Sequence, residues 1–94
     1  MPTLRIEHHV PDYDRWKQAF DSDPADRRGS GVTEYRISRS VTDPDLVLID
    51  LDFDDVASAV ALLETMQRIW AGPAASIVTG PRATIVELVE RVDL

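Results

Sequence analysis

Apolar and polar positions alternate in some stretches of this chain and recur at threes and fours in others. The first period predicts strands and the second predicts helices. The clearest stretch is Asp45 to Phe53, bounded by Thr42-Asp43-Pro44 and Asp54-Asp55. On a strand, Val47, Ile49, Leu51 and Phe53 share one face, which is wholly apolar. Leu46, Leu48, Asp50 and Asp52 share the other, apolar at one end and acidic at the other. Such a strand is expected at the centre of a sheet. Thr3 to Val10 alternates as well, with Leu4, Ile6, His8 and Val10 opposite Thr3, Arg5, Glu7 and His9. Gly31 to Ser40 sets Tyr35 and Ile37 against Glu34 and Arg36, a mixture suited to an edge strand. Ala83 to Val92, rich in Val and Ile, predicts a last strand.

Two segments carry the helical period. Asp12 is placed to cap a helix from Tyr13 to about Phe20, with Tyr13, Trp16, Ala19 and Phe20 as its apolar stripe. Asp54 or Asp55 caps a longer helix from Val56 to about Trp70. Its stripe reads Val56, Ala59, Val60, Leu63, Met66, Gln67 and Trp70, and Gly72-Pro73 stops it. Asp23-Pro24 followed by Gly29 predicts a short helical turn over Pro24 to Arg28. Ala74 to Thr79 fits either a short helix or an extended connector, and Gly80-Pro81 predicts a turn.

The resulting order is β-α-β-β-α-β. Right-handed crossovers and a central hairpin turn that order into a ferredoxin-like α+β fold: a four-stranded antiparallel sheet with both helices on one face. The first and third strands are then central neighbours. Leu4, Ile6, His8, Val47, Ile49, Leu51 and Phe53 face the helices, and Arg5 is a partner for Asp50 or Glu7 on the bare side.

Composition narrows the function. Ninety-four residues make one domain, 1–94, small enough for association to help its core. A net charge of -7 argues against nucleic acid and against an anionic membrane surface. The chain has no cysteine, so neither a disulfide framework nor thiol catalysis is expected. It has no apolar run of membrane-spanning length and no signal-peptide pattern, so the expected location is the cytoplasm.

Three stretches carry a family resemblance: the opening strand with His8-His9-Val10, the run Pro11-Asp12-Tyr13-Asp14-Arg15-Trp16, and Leu48-Ile49-Asp50-Leu51-Asp52-Phe53 leading into an Ala/Leu helix that ends at Trp70. Together they resemble the dimeric α/β-barrel superfamily, and the resemblance spans essentially the whole chain. That superfamily includes cofactor-independent antibiotic-biosynthesis-type monooxygenases, isomerases, haem enzymes and stress-responsive proteins. The resemblance implies that two sheets pack face to face as a barrel and that ligands sit between a protomer's sheet and its helices. It does not transfer a reaction.

Candidate chemistry is sparse. His8 and His9 are the only histidines, and as strand neighbours they point to opposite faces, so the pair is not expected to chelate a metal. His8 is either a strand-end histidine bonded to backbone or a ligand contact and general base. Trp16, Phe20, Tyr35 and Trp70 are either core or the walls of a ligand pocket. Asp50 and Asp52 share a face and are expected in salt bridges at an interface. Arg27-Arg28 is expected at the surface. The expectation is a small-molecule-binding dimer using the helix-free sheet face, with no metal or cofactor, acting on a small apolar or aromatic compound in a monooxygenase- or isomerase-like way. The alternative is a non-catalytic stress-response or ligand-binding module.

Overall fold

The computed structural model describes residues 1–72 and 74–94. Its elements are β1 (Pro2–His9), α1 (Tyr13–Asp21), β2 (Val32–Arg39), β3 (Leu46–Phe53), α2 (Val56–Ala71) and β4 (Thr79–Glu87). The strands form one sheet in the order β2-β3-β1-β4, and every neighbouring pair is antiparallel. This is the ferredoxin-like α+β arrangement. β1 and β3 are central, with Arg5 opposite Asp50 and Ile6 opposite Ile49.

The two faces separate as alternation requires. Leu4, Ile6, Val47, Ile49, Leu51 and Phe53 are buried, and Val10, Trp16, Ala59, Leu62 and Val78 complete the core. The helices begin where acidic caps stand. Asp12 accepts from the Arg15 N–H at 3.1 Å, and Asp55 accepts from the Ser58 N–H at 2.7 Å.

Four segments depart from the sequence expectation. Pro24 to Arg28 is not helical. Asp23 and Asp26 take left-handed φ of 57° and 49°, which breaks helical propagation twice. Their carboxylates instead accept from the Arg27 and Gly29 N–H groups, making successive Asp-capped turns. Ala74 to Ile77 forms turns that lead into Val78. On α2, Ala59, Leu63, Met66 and Trp70 of the expected stripe pack on the core, but its first part shifts. Ala59 and Leu62 are buried while Val56 and Val60 are exposed, because Leu62, Met66 and Ile69 form the better apolar row. Gly72 caps α2, and Pro73, the other half of the expected stop, lies outside the described residues.

The last difference concerns β4, which starts at Thr79 and ends at Glu87 rather than running from Ala83 to Val92. Gly80-Pro81 does not turn the chain back but interrupts the ladder. Glu7 pairs with Arg82 and His9 with Thr79, so Gly80 and Pro81 together oppose His8. Gly80 has φ 60°, the left-handed conformation that opens a glycine β-bulge, and Pro81 has no N–H to give the ladder. Leu88 to Leu94 continues beyond the sheet with Leu88, Val89, Val92 and Leu94 exposed.

Candidate functional site

The site begins with the stand-off of α1. Among the described residues, no Cα of α1 comes within 8 Å of a Cα in another helix or strand. Side chains alone bridge that gap, and they are large aromatic ones. Trp16 meets Tyr13 at 5.7 Å and Phe20 at 5.1 Å between ring centroids, and Phe20 meets Tyr35 of β2 edge-on at 5.3 Å. Rings held at these separations attract one another, yet they leave space beneath the helix. Protein interiors are otherwise packed almost without voids.

That space is a cavity of about 70 Å³ between the helices and the sheet. Ile6, His8, Ile49 and Leu51 line it from the sheet. Trp16 and Phe20 line it from α1, and Leu62, Met66, Ile69 and Trp70 from α2. It is about half the size of the roughly 150 Å³ apolar cavity that accepts benzene. A second depression, between the Asp23–Arg28 turns and β2, is larger but open; Arg27 borders both, and His8 only the first.

Among the described residues, His8 is the one polar residue that is buried, at 3% exposure. Its ring stands edge-on to Trp16 at 5.5 Å. Nδ1 is buried and has no hydrogen-bond partner among the described residues. Burial pushes the imidazole down to about 4, the adjacent His9 adds to that, and a backbone group of His8 itself opposes part of it. His8 is therefore uncharged at neutral pH, with one ring nitrogen donating and the other accepting. His9, on the other face, is exposed and reaches Asp43 at 3.0 Å. Among the described residues, no group of three or more His, Cys, Asp or Glu is placed to hold a metal ion.

Of the five residues singled out in the sequence, His8, Trp16, Phe20 and Trp70 line one cavity. Tyr35 does not. It is 41% exposed on the edge strand, packed on the outer side of Phe20. Sequence reasoning missed Arg27, which it placed at the surface. Its side chain is only 15% exposed and lines the cavity. The guanidinium lies 3.9 Å over the Phe20 ring, and Nη1 donates to the Phe20 carbonyl at 2.7 Å. The available signal was Asp23 four residues earlier, since the turn that this pair closes draws Arg27 inward.

The bare face is organised by charge. Arg5 donates to Asp50 at 3.1 Å, and Arg36 donates to Asp52 at 2.9 Å while Thr3 donates to the same carboxylate at 2.7 Å. Arg36 first, and then Thr3, holds the Asp52 carboxyl down to about 2. Both arginines are held above their ordinary value by these partners. No helix is long and apolar enough to cross a membrane among the described residues.

Neither a scan of family models nor a search of curated proteins finds a match. Solved structures do match. A proposed antibiotic biosynthesis monooxygenase from Deinococcus radiodurans superimposes with a TM-score of 0.67 at 14% identity, covering 100% of this chain and 98% of that one. A variant of MhuD with two manganese protoporphyrin IX molecules bound per active site gives 0.72 at 14% identity, with 99% of each chain covered. A variant of SnoaB, a cofactor-independent oxygenase from Streptomyces nogalater, gives 0.72 at 11% identity, covering 97% of this chain and 95% of that one. At these identities the likeness is one of fold, and the chain has the ferredoxin-like fold of the antibiotic-biosynthesis-monooxygenase-like proteins.

Proposed function

We propose that this chain is a dimeric, monooxygenase-like small-molecule-binding protein, and that a small, largely apolar aromatic compound enters the cavity beside His8, which widens to admit it as the side chains joining α1 to the sheet shift. One observation carries the reading: His8, whose Nδ1 is buried with no partner among the described residues, lines a space that is apolar apart from it and Arg27. An unmet buried polar group costs roughly 1–3 kcal/mol, which a ligand hydroxyl or carbonyl at the ring would offset. Trp16 and Trp70 would stack on the ligand and exclude water. In an oxygenase- or isomerase-like reaction, His8 would orient the substrate and accept its proton.

The lowered basicity of His8 supports a second reading, a binding module without turnover. Taking a proton from a phenol of pKa about 10 onto an imidazole at about 4 is uphill by about 8 kcal/mol. A porphyrin such as the MhuD variant binds does not fit a cavity of about 70 Å³. The bare sheet face supports a homodimer. Leu46 and Leu48 lie beside paired charges there, a surface able to complement itself about a two-fold axis.

Aromatic ketones, phenols and quinones titrated against tryptophan fluorescence, with oxygen uptake followed in parallel, test this reading. Saturable binding that weakens in His8→Ala is expected. Binding with oxygen uptake indicates an oxygenase, and binding with neither oxygen uptake nor conversion of the compound indicates the module. No saturable change with any compound overturns the proposal.

A further inference from the structure

We infer that Arg27 makes this cavity selective for an apolar acid, whose carboxylate is gripped by the Nε–Nη2 edge of the guanidinium. The inference rests on the ligand-binding reading above and adds the ligand's charge. Among the described residues that line the cavity, Arg27 is the one charged side chain, and the rest apart from His8 are apolar. A cation at the rim of an apolar pocket matches a ligand with an apolar body and an anionic end.

The hydrogen bonding of Arg27 leaves that end open. A guanidinium carries five N–H donors. Nη1 is committed, to the Phe20 carbonyl at 2.7 Å and toward Asp23 at 3.5 Å. The second contact is long beside the roughly 2.7–2.9 Å of a charge-assisted hydrogen bond. Asp23 is also the more exposed partner, 37% against 15%. Among the described residues, Nε and Nη2 have no acceptor. Those two nitrogens form one edge of the guanidinium, with the spacing that takes both oxygens of a carboxylate.

The group is also held in place before any ligand arrives. Its carbon sits 3.9 Å over Phe20 and 5.0 Å from the Tyr35 ring centre. Stacking of this kind restricts the rotamers of a long side chain, so little further ordering is needed on binding. This gives Tyr35 a role outside the cavity, as the outer support of the arginine that lines it.

Benzoate and benzamide test the inference, because they share a shape and differ in charge. Each is titrated into the native protein and into Arg27→Gln, with tryptophan fluorescence as the readout. The native protein is expected to bind benzoate about tenfold more tightly than benzamide, and Arg27→Gln to lose most of that preference by weakening benzoate. Equal binding of the two by the native protein overturns the inference while leaving the ligand-binding reading intact. So does a preference that survives in Arg27→Gln. Binding of neither compound, nor of any in the wider panel, overturns the ligand-binding reading itself and this inference with it. If Arg27→Gln fails to fold, Arg27→Lys takes its place. It keeps the charge but loses the planar edge, so a preference undiminished in Arg27→Lys overturns the two-oxygen grip.

Discussion

The two faces of the central strands are built from interleaved residues of the same segments, yet they treat polar groups in opposite ways. On the bare face, Arg5, Asp50, Arg36, Asp52 and Thr3 are joined by hydrogen bonds of 3.3 Å or less. On the covered face, a single polar residue, His8, is buried with Nδ1 unmet. Pairing costs little where water can assist and matters most where water is excluded. An unmet group on the dry face therefore points to a partner that comes and goes, whereas met groups on the wet face point to structure or assembly.

The largest expected effect is on the covered face. Phe53 is fully buried between the sheet and α2, so Phe53→Ala should lower unfolding free energy in urea by about 3–5 kcal/mol. Arg5→Ala on the bare face, which removes an exposed ion pair, should cost about 1 kcal/mol or less. Comparable losses in the two variants would mean that the covered face is not the core.

Next in size is a pH effect. The folded imidazole of His8 sits at about 4, below its ordinary 6.5. Between those values the unfolded chain binds a proton that the folded chain refuses, so stability falls as pH drops from about 6.5 to 4 and the loss is complete below 4. The shift corresponds to about 3 kcal/mol. Asp52, held down to about 2, adds its own loss only below about pH 4, so the two windows separate. His8→Leu should abolish the upper window in a series of urea melts. An unchanged profile in that variant would place the titration elsewhere.

The smallest effect falls on association. Leu48→Asp puts a charge into the proposed dimer face and should weaken the dimer by about tenfold or more in light scattering, against little change in Arg28→Ala. Equal effects would mean that the pairing surface lies elsewhere, and a native monomer at micromolar concentration would remove the dimer altogether.

Much of this was legible in the residues. The alternation of Val47, Ile49, Leu51 and Phe53 with Leu46, Leu48, Asp50 and Asp52 sorted both faces of β3. The same period put His8 under the helices and His9 outside. Asp12 marked the start of α1, and the Asp54-Asp55 pair marked that of α2, where the structure chooses Asp55. Part of the α2 face was legible too, since Ala59, Leu63, Met66 and Trp70 of the expected stripe pack on the core. Val56 and Val60 of that stripe are exposed, and Leu62 is buried in their place.

By itself, then, the sequence determined the order of elements and the side of each strand that would be dry. Both follow from periods of two and 3.6 residues, which act within one element. Only the tertiary structure decided the site. The cavity exists because aromatic side chains hold α1 away from the sheet, a distance set by residues far apart in sequence. Opposite His8, Gly80 and Pro81 form a bulge that arises from pairing with another strand, where local rules saw a turn. Arg27 enters the cavity wall through two left-handed aspartates and a ring beneath its guanidinium. None of these has a local period, because each depends on what the chain meets after it has folded.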